Sequence, residues 1–184
     1  MKNIFYCFAV ICLILGIIFF SFSAYSAAEK TQALTQENIA RQLNKPFDST
    51  ADITYKGVHA KAAFNRCADG SFNIEFLQPS AVKGCVFNVK GEQISISHHG
   101  ININLSTNEF LNSSAVKMAV KSINDALYSS GITLSAQDNS ITLSGIGENG
   151  EFFLKLDSAN GNLMSVEIPS SDFRMEFNDF KFIT

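Results

Sequence analysis

The stretch ISISHHGININL, residues 94–105, holds two of the three histidines of the chain side by side. Ile94 and Ile96 are even-numbered, whereas Ile101, Ile103 and Leu105 are odd. In one straight strand these two sets would lie on opposite faces, because strand side chains alternate. A two-residue turn at His99-Gly100 removes the conflict. It pairs His98 with Ile101, Ile96 with Ile103 and Ile94 with Leu105, all on one face. Gly100 tolerates positive φ, and His enters that region more readily than most residues. The pattern therefore predicts a hairpin, with His98 at the rim of an apolar face and His99 at the loop tip. Their rings are expected to diverge, so neither a metal site nor an acid–base pair is assigned to them.

Outward from this hairpin, a period of two runs from about residue 50 to the end of the chain. Strand-like runs occur at ADITYKG, VHAKAAFNRC, SFNIEFLQ, CVFNVK, QISIS, ININL, GITLSA, SITLSG, EFFLKLDS, NLMSVEIP and FRMEFNDFKFI. Asp69-Gly70, Lys90-Gly91, Asn149-Gly150 and Asn160-Gly161 separate several of them with tight-turn chemistry, which predicts antiparallel neighbours. Phe72, Ile74 and Phe76 alternate with Ser71, Asn73 and Glu75; Phe152, Leu154 and Leu156 alternate with Phe153, Lys155 and Asp157. Met164, Val166 and Ile168 are read in the same way as facing inward. One apolar and one mostly polar face describe a single curved antiparallel sheet, open to water outside. ITLSAQDN and ITLSGIGEN read as two arms of one hairpin turning at Gln137–Asn139. In the C-terminal run, Phe173, Met175 and Phe177 change phase before Phe180 and Phe182, which predicts a bulge at Asn178–Asp179.

Two segments break the strand period. Residues 29–46 read as a short helix, with Thr35 as its cap, Leu34 and Ile39 as a hydrophobic staple and Pro46 closing it. NSSAVKMAVKSINDALYSSG places Val116, Val120, Ile123 and Leu127 on one stripe, with Asn112 or Ser113 to cap the start and Gly131 to close the end. Burying those four side chains is worth about 6–12 kcal/mol before entropy costs, and the inner face of the sheet is the surface available to them.

The chain of 184 residues suits one domain of ordinary size. Its first 26 residues combine Lys2, an apolar run from Ile4 to Phe22 and the small residues of SAYSAAEK, the pattern of an export signal. That run is also near membrane-spanning length, so an uncleaved anchor through residues 4–22 is the alternative. Residues 27–184 are then the single working domain, outside the cytoplasm. The net charge of −3, without a Lys/Arg block or a Trp, gives no footprint for nucleic acid. Cys67 and Cys85 remain in the exported part, where a disulfide or two free thiols are the choices. In a meander the two sit at opposite ends of the sheet, beyond the disulfide limit of about 7 Å, which favours free thiols.

No catalytic residue, metal site or cofactor is assigned. His59 has no identifiable acidic or thiol partner, glycines occur singly at turns, and no serine lies in a G-x-S-x-G elbow. Seventeen Phe and no Trp supply large apolar area without polar handles. One outcome is a filled core; the other is a Phe-lined concavity taking an acyl chain, lined by Phe72, Ile74, Phe76, Phe152, Leu154 and Phe177.

DGSFNIEFLQPSAVKGCVFNVKGEQISIS, residues 69–97, together with the order of elements over 33–184, resembles the lipoprotein-carrier (LolA/LolB-like) superfamily. The shared pattern is a strand, a Pro (here Pro79), another strand and a Gly turn before the next strand. It looks closer to Gram-positive spore-germination-lipoprotein-like members, although neither Cys7 nor Cys12 follows the small residue of a lipobox. The resemblance implies a mainly β (α+β) fold, an unclosed half-barrel with the N-terminal and mid-chain helices on its concave face. It also implies a non-enzymatic role: holding an apolar small molecule or a lipoprotein acyl group, or, alternatively, acting as a scaffold for an envelope protein. Carrier members place a basic residue inside the cavity; the arginines here are Arg41, Arg66 and Arg174, and none is matched to that role by sequence.

Overall fold

The computed structural model describes residues 35–106 and 114–183. Residues 36–184 form one compact unit, and everything below concerns that unit. It opens with helix α1 (Gln36–Leu43), followed by strands β1 (Phe47–Tyr55), β2 (Val58–Arg66), β3 (Phe72–Gln78), β4 (Val86–Lys90), β5 (Gln93–His98) and β6 (Ile101–Ser106). Helix α2 (Ala115–Tyr128) interrupts them. Strands β7 (Thr133–Gln137), β8 (Ser140–Gly147), β9 (Gly150–Asp157) and β10 (Leu163–Ile168) lead to a 3-10 turn at Pro169–Ser171 and to β11 (Phe173–Phe182).

All eleven strands form one sheet in the order β6-β5-β4-β3-β2-β1-β11-β10-β9-β8-β7, every pairing antiparallel. The sheet does not close: among the described residues β6 and β7 are its two edges. Among the described strands, β1 and β11 are the neighbours distant in sequence, and they join two meanders side by side.

The hairpin at 94–105 has the register that parity predicts. His98 lies opposite Ile101, Ile96 opposite Ile103 and Ile94 opposite Leu105, with His99 at φ 50° and Gly100 at φ 83°. The β7–β8 hairpin also turns where the paired ITLS motifs place it, with Gln137 opposite Ser140 and Asp138 at φ 51°. The C-terminal bulge is present as well: Asp48 pairs with Lys181 but Thr50 with Asn178, and Asp179 is left-handed at φ 54°. Opposite it, Ser49 is buried and its hydroxyl donates to the Phe64 carbonyl at 2.7 Å, so the irregularity leaves no orphaned polar side chain there.

Three local expectations are corrected. Strand β1 begins at Phe47, before the expected alternation, because Phe47 pairs across to Phe182 on one side and Arg66 on the other. Leu163 faces inward and Met164 outward, the reverse of the period-two expectation, because a register shift against β9 falls between Leu163 and Ser165. The cap of α2 is Ser114, whose hydroxyl accepts from the Lys117 amide at 3.2 Å. Asn112 and Ser113 lie outside the described residues, as do Leu34 and the start of the expected 29–46 helix. Thr35 immediately precedes α1, the position of an N-cap.

Helix α2 buries more than the expected stripe. Val116, Val120, Ile123 and Leu127 are joined in the core by Met118, Ala119, Ser122 and Ala126. Small residues on its flanks let it lie close to β8, β9 and β10 and to α1. The helix stops at Tyr128, and Gly131 supplies the left-handed turn beyond it at φ 81°. Gly150 has a stricter role: at φ 106° it opens β9 in a region open to glycine alone, and a Cβ there would collide with Ser170 Oγ. Gly150→Ala is expected to destabilise the fold by about 1–3 kcal/mol, read from the midpoint of urea unfolding.

Candidate functional site

The inner face of the sheet is mostly apolar, but its cover is uneven. Helix α2 packs over β8, β9 and β10, where Leu143, Phe152, Leu154 and Val166 are buried. At the centre, Phe64 is closed in by three rings: Phe47 at 6.4 Å, Phe72 at 5.6 Å and Phe177 at 5.3 Å between centroids. Toward β6 the cover thins along a single cross-strand row. Ile74 pairs with Phe87, Phe87 with Ile96 and Ile96 with Ile103. Along that row Ile74 is fully buried, Phe87 and Ile96 are half-buried, and Ile103 is 49% exposed. In the next row Phe76 is half-buried and set edge-on to Phe87 at 5.7 Å, while Ile101 is 67% exposed. Phe76, Phe87, Ile96, Ile101 and Ile103 thus make an apolar strip on the concave side of β3–β6, partly open to solvent.

Of the six residues expected to line the concavity, Phe76 alone lies on this strip. Phe72, Ile74, Phe152 and Leu154 are at most 2% exposed and Phe177 is 8% exposed, all in packed core. Three surface cavities are lined by other residues. The open strip was within reach of the alternation, which points Ile96, Ile101 and Ile103 inward. What alternation lacks is any statement of where α2 stops.

Arg66 is the charged residue on the inner face of β2, between Phe47 and Phe72 in register. It is 7% exposed. Nη2 donates to Asn44 Oδ1 at 2.8 Å, the Tyr128 hydroxyl donates to the same oxygen, and the guanidinium lies 4.8 Å from the Phe72 ring centroid. Its Nε and Nη1 are buried without a hydrogen-bond partner. Arg66 therefore joins the sheet to the ends of α1 and α2 while carrying an uncompensated desolvation cost. Arg66→Met is expected to stabilise the protein by about 1–3 kcal/mol in urea unfolding, because Met fills the space without a buried charge. Arg41 and Arg174, by contrast, are exposed and paired with Glu37 and with Glu167 and Glu176.

The reactive side chains do not converge. His98 and His99 lie against each other, ring centroids 4.1 Å apart and tilted by 56°, rather than diverging as expected. The left-handed backbone of His99 folds its ring back toward its neighbour. His98 Nε2 is 3.3 Å from the Lys83 carbonyl oxygen, and among the described residues no third His, Cys, Asp or Glu joins the pair in a metal-binding group. His59 is on the outer face, with Nδ1 at 3.0 Å from Thr54 Oγ1. Cys67 and Cys85 are free thiols, and burial pushes the Cys85 thiol up, away from the nucleophilic thiolate. No helix among the described residues is long and apolar enough to cross a membrane; residues 4–22 lie outside them.

An antiparallel sheet left open, with two helices against its concave face, is the architecture implied by the resemblance. The fold is an unclosed antiparallel half-barrel with helices. Among solved structures the chain is similar to an uncharacterized conserved protein from Thermus thermophilus, with TM-score 0.53 and 12% identity over 86% of this chain and 88% of that one. Weaker likenesses include a LolA superfamily protein from Nitrosomonas europaea, TM-score 0.42 and 10% identity over 83% and 95% of the two chains. Another is the complex of the CwlD amidase with the GerS lipoprotein from Clostridioides difficile, TM-score 0.47 and 12% identity over 88% and 95%. No protein-family model and no curated protein matches the chain. At these identities the likeness extends to the half-barrel alone.

Proposed function

We propose that this half-barrel is an exported, non-enzymatic binding protein that holds an apolar ligand, a lipid or the acyl group of a lipoprotein, on the concave side of β3–β6. The observation that carries this reading is the strip of Phe76, Phe87, Ile96, Ile101 and Ile103. Phe87, Ile96 and Ile103 stand in register, Phe76 and Ile101 flank them beside His98, and the strip is partly open on a face whose other half is closed by α2. Soluble proteins rarely leave a contiguous apolar surface open without a partner for it. Phe76 contacts the ligand directly. Phe72, Ile74, Phe152, Leu154 and Phe177 form the packed floor that keeps the strip in place. Arg66, with two donor atoms unmatched, is the group best suited to the carbonyl or acidic oxygens of a ligand that reaches the inner end of the face. Residues 1–26 direct export or anchor the chain, and residues 27–184 are the working domain.

Native mass spectrometry after exposure to a lipid extract is expected to show a bound apolar species. The second reading, a scaffold for an envelope protein, is favoured by the burial of five of the six expected lining residues. A clean apo spectrum, together with a stoichiometric protein partner in a pull-down from the native envelope, would replace the first reading with the second.

A further inference from the structure

The outer face of β2–β6 carries a pattern of its own. Asn65 stands opposite Asn73, Asn73 opposite Asn88, Asn88 opposite Ser95, and Ser95 opposite Asn104. Five neutral hydrogen-bonding side chains thus lie side by side across five strands, a row of about 19 Å at the usual strand spacing of about 4.8 Å. A second row runs beside it, Lys90–Gln93–Ser106. Between β4 and β6 the two rows wall a surface cavity of about 490 Å³. Lys90 is paired with Asp69 at 2.7 Å, so the cavity wall carries no uncompensated charge.

Asparagine is among the residues depleted in strands, and repeating it at matched positions in four of five neighbours works against local propensity. Departures of that kind concentrate where a surface serves something other than folding. Each primary amide offers two donors and an acceptor, and each hydroxyl a donor and acceptor sites. Among the described residues, no hydrogen bond ties the side chains of Asn65, Asn73, Asn88, Ser95 or Asn104 to the rest of the protein. An anionic polymer would call for a basic surface, and an apolar ligand for the opposite face of the sheet. A chain of uncharged rings bearing hydroxyl and amide groups suits this one, each ring meeting side chains that both give and accept hydrogen bonds.

We infer that the outer face of β2–β6 is a binding surface for a neutral oligosaccharide, laid across the strands along Asn65–Asn104 with its midsection in the cavity between β4 and β6. The site is separate from the concave apolar strip and does not rest on it. The test is an array of uncharged glycans probed with the purified full-length chain, followed by calorimetric titration of the strongest glycan. Binding is expected, weakened at least tenfold in the N73T/N88T/N104T variant. Thr favours strands, so that variant should keep its circular dichroism and an equal or higher unfolding midpoint, which separates a lost site from a lost fold. The I101D/I103D variant, altered on the other face, should bind the glycan as the natural chain does. The inference is overturned if no neutral glycan binds, or if binding survives the asparagine substitutions. Binding confined to anionic glycans, and removed by added salt or by K90M, overturns it equally.

Discussion

Phe64→Ala is expected to lower the unfolding free energy by about 3–5 kcal/mol, read as an earlier midpoint in urea at unchanged slope. Phe64 has no exposed surface and three aromatic neighbours, Phe47, Phe72 and Phe177, which come from β1, β3 and β11. Removing the ring opens a cavity at the place where the two meanders meet. No single side chain can move in to fill it without leaving the strand that holds it. Against a total stability of roughly 5–15 kcal/mol for a domain of this kind, that loss leaves little margin. Phe76→Ala is the control. Its ring is half-buried, so the loss should be visibly smaller, and a cost equal to that of Phe64→Ala would mean the strip is core after all.

The larger functional effect is expected from I101D/I103D. Each isoleucine offers an apolar ligand about 1.5–3 kcal/mol of burial, so losing both should weaken binding ~10²–10⁴-fold. The fold should barely notice. Both positions are exposed in the absence of ligand, at 67% and 49%, and surface substitutions of this kind usually cost little. The measurement is native mass spectrometry of the lipid-exposed variant beside its unfolding curve. Retained ligand at full occupancy would show that the apolar group is held elsewhere, and the concave strip would lose its assignment. A collapse in stability would show instead that the two isoleucines are structural.

The contrast between Ile94 and Ile103 shows how far sequence reaches. Parity places both on the inner face and sets their partners, Leu105 and Ile96, as found. Yet Ile94 is buried and Ile103 half open: Ile94 lines a cavity it shares with Val120 and Lys121 of α2, while Ile103 lies farther out, on edge strand β6. The same limit applies at Leu163 and Met164. Alternation is local, but the bulge that reverses it comes from the pairing of β10 with β9. Arg66 reads as one more polar residue ending a strand until Asn44, Phe72 and Tyr128 close around it from three other elements. The asparagine row is spread over residues 65–104, so it is a row only after five strands are laid in register.

By itself, then, the sequence determined whatever depends on neighbours along the chain: the turns at residues such as His99-Gly100 and Asp138-Asn139, the strand periods, the apolar stripe of α2 and the antiparallel class of the sheet. Those follow from backbone sterics and side-chain alternation, which act over a few residues. Tertiary structure alone decided which part of the inner face is closed, which arginine is buried, and which polar side chains stand together. Those depend on contacts between segments tens of residues apart. The hairpin ISISHHGININL sits at that boundary: its register was legible in twelve letters, and its exposure, on which the proposed function rests, was settled by where a helix elsewhere in the chain comes to rest.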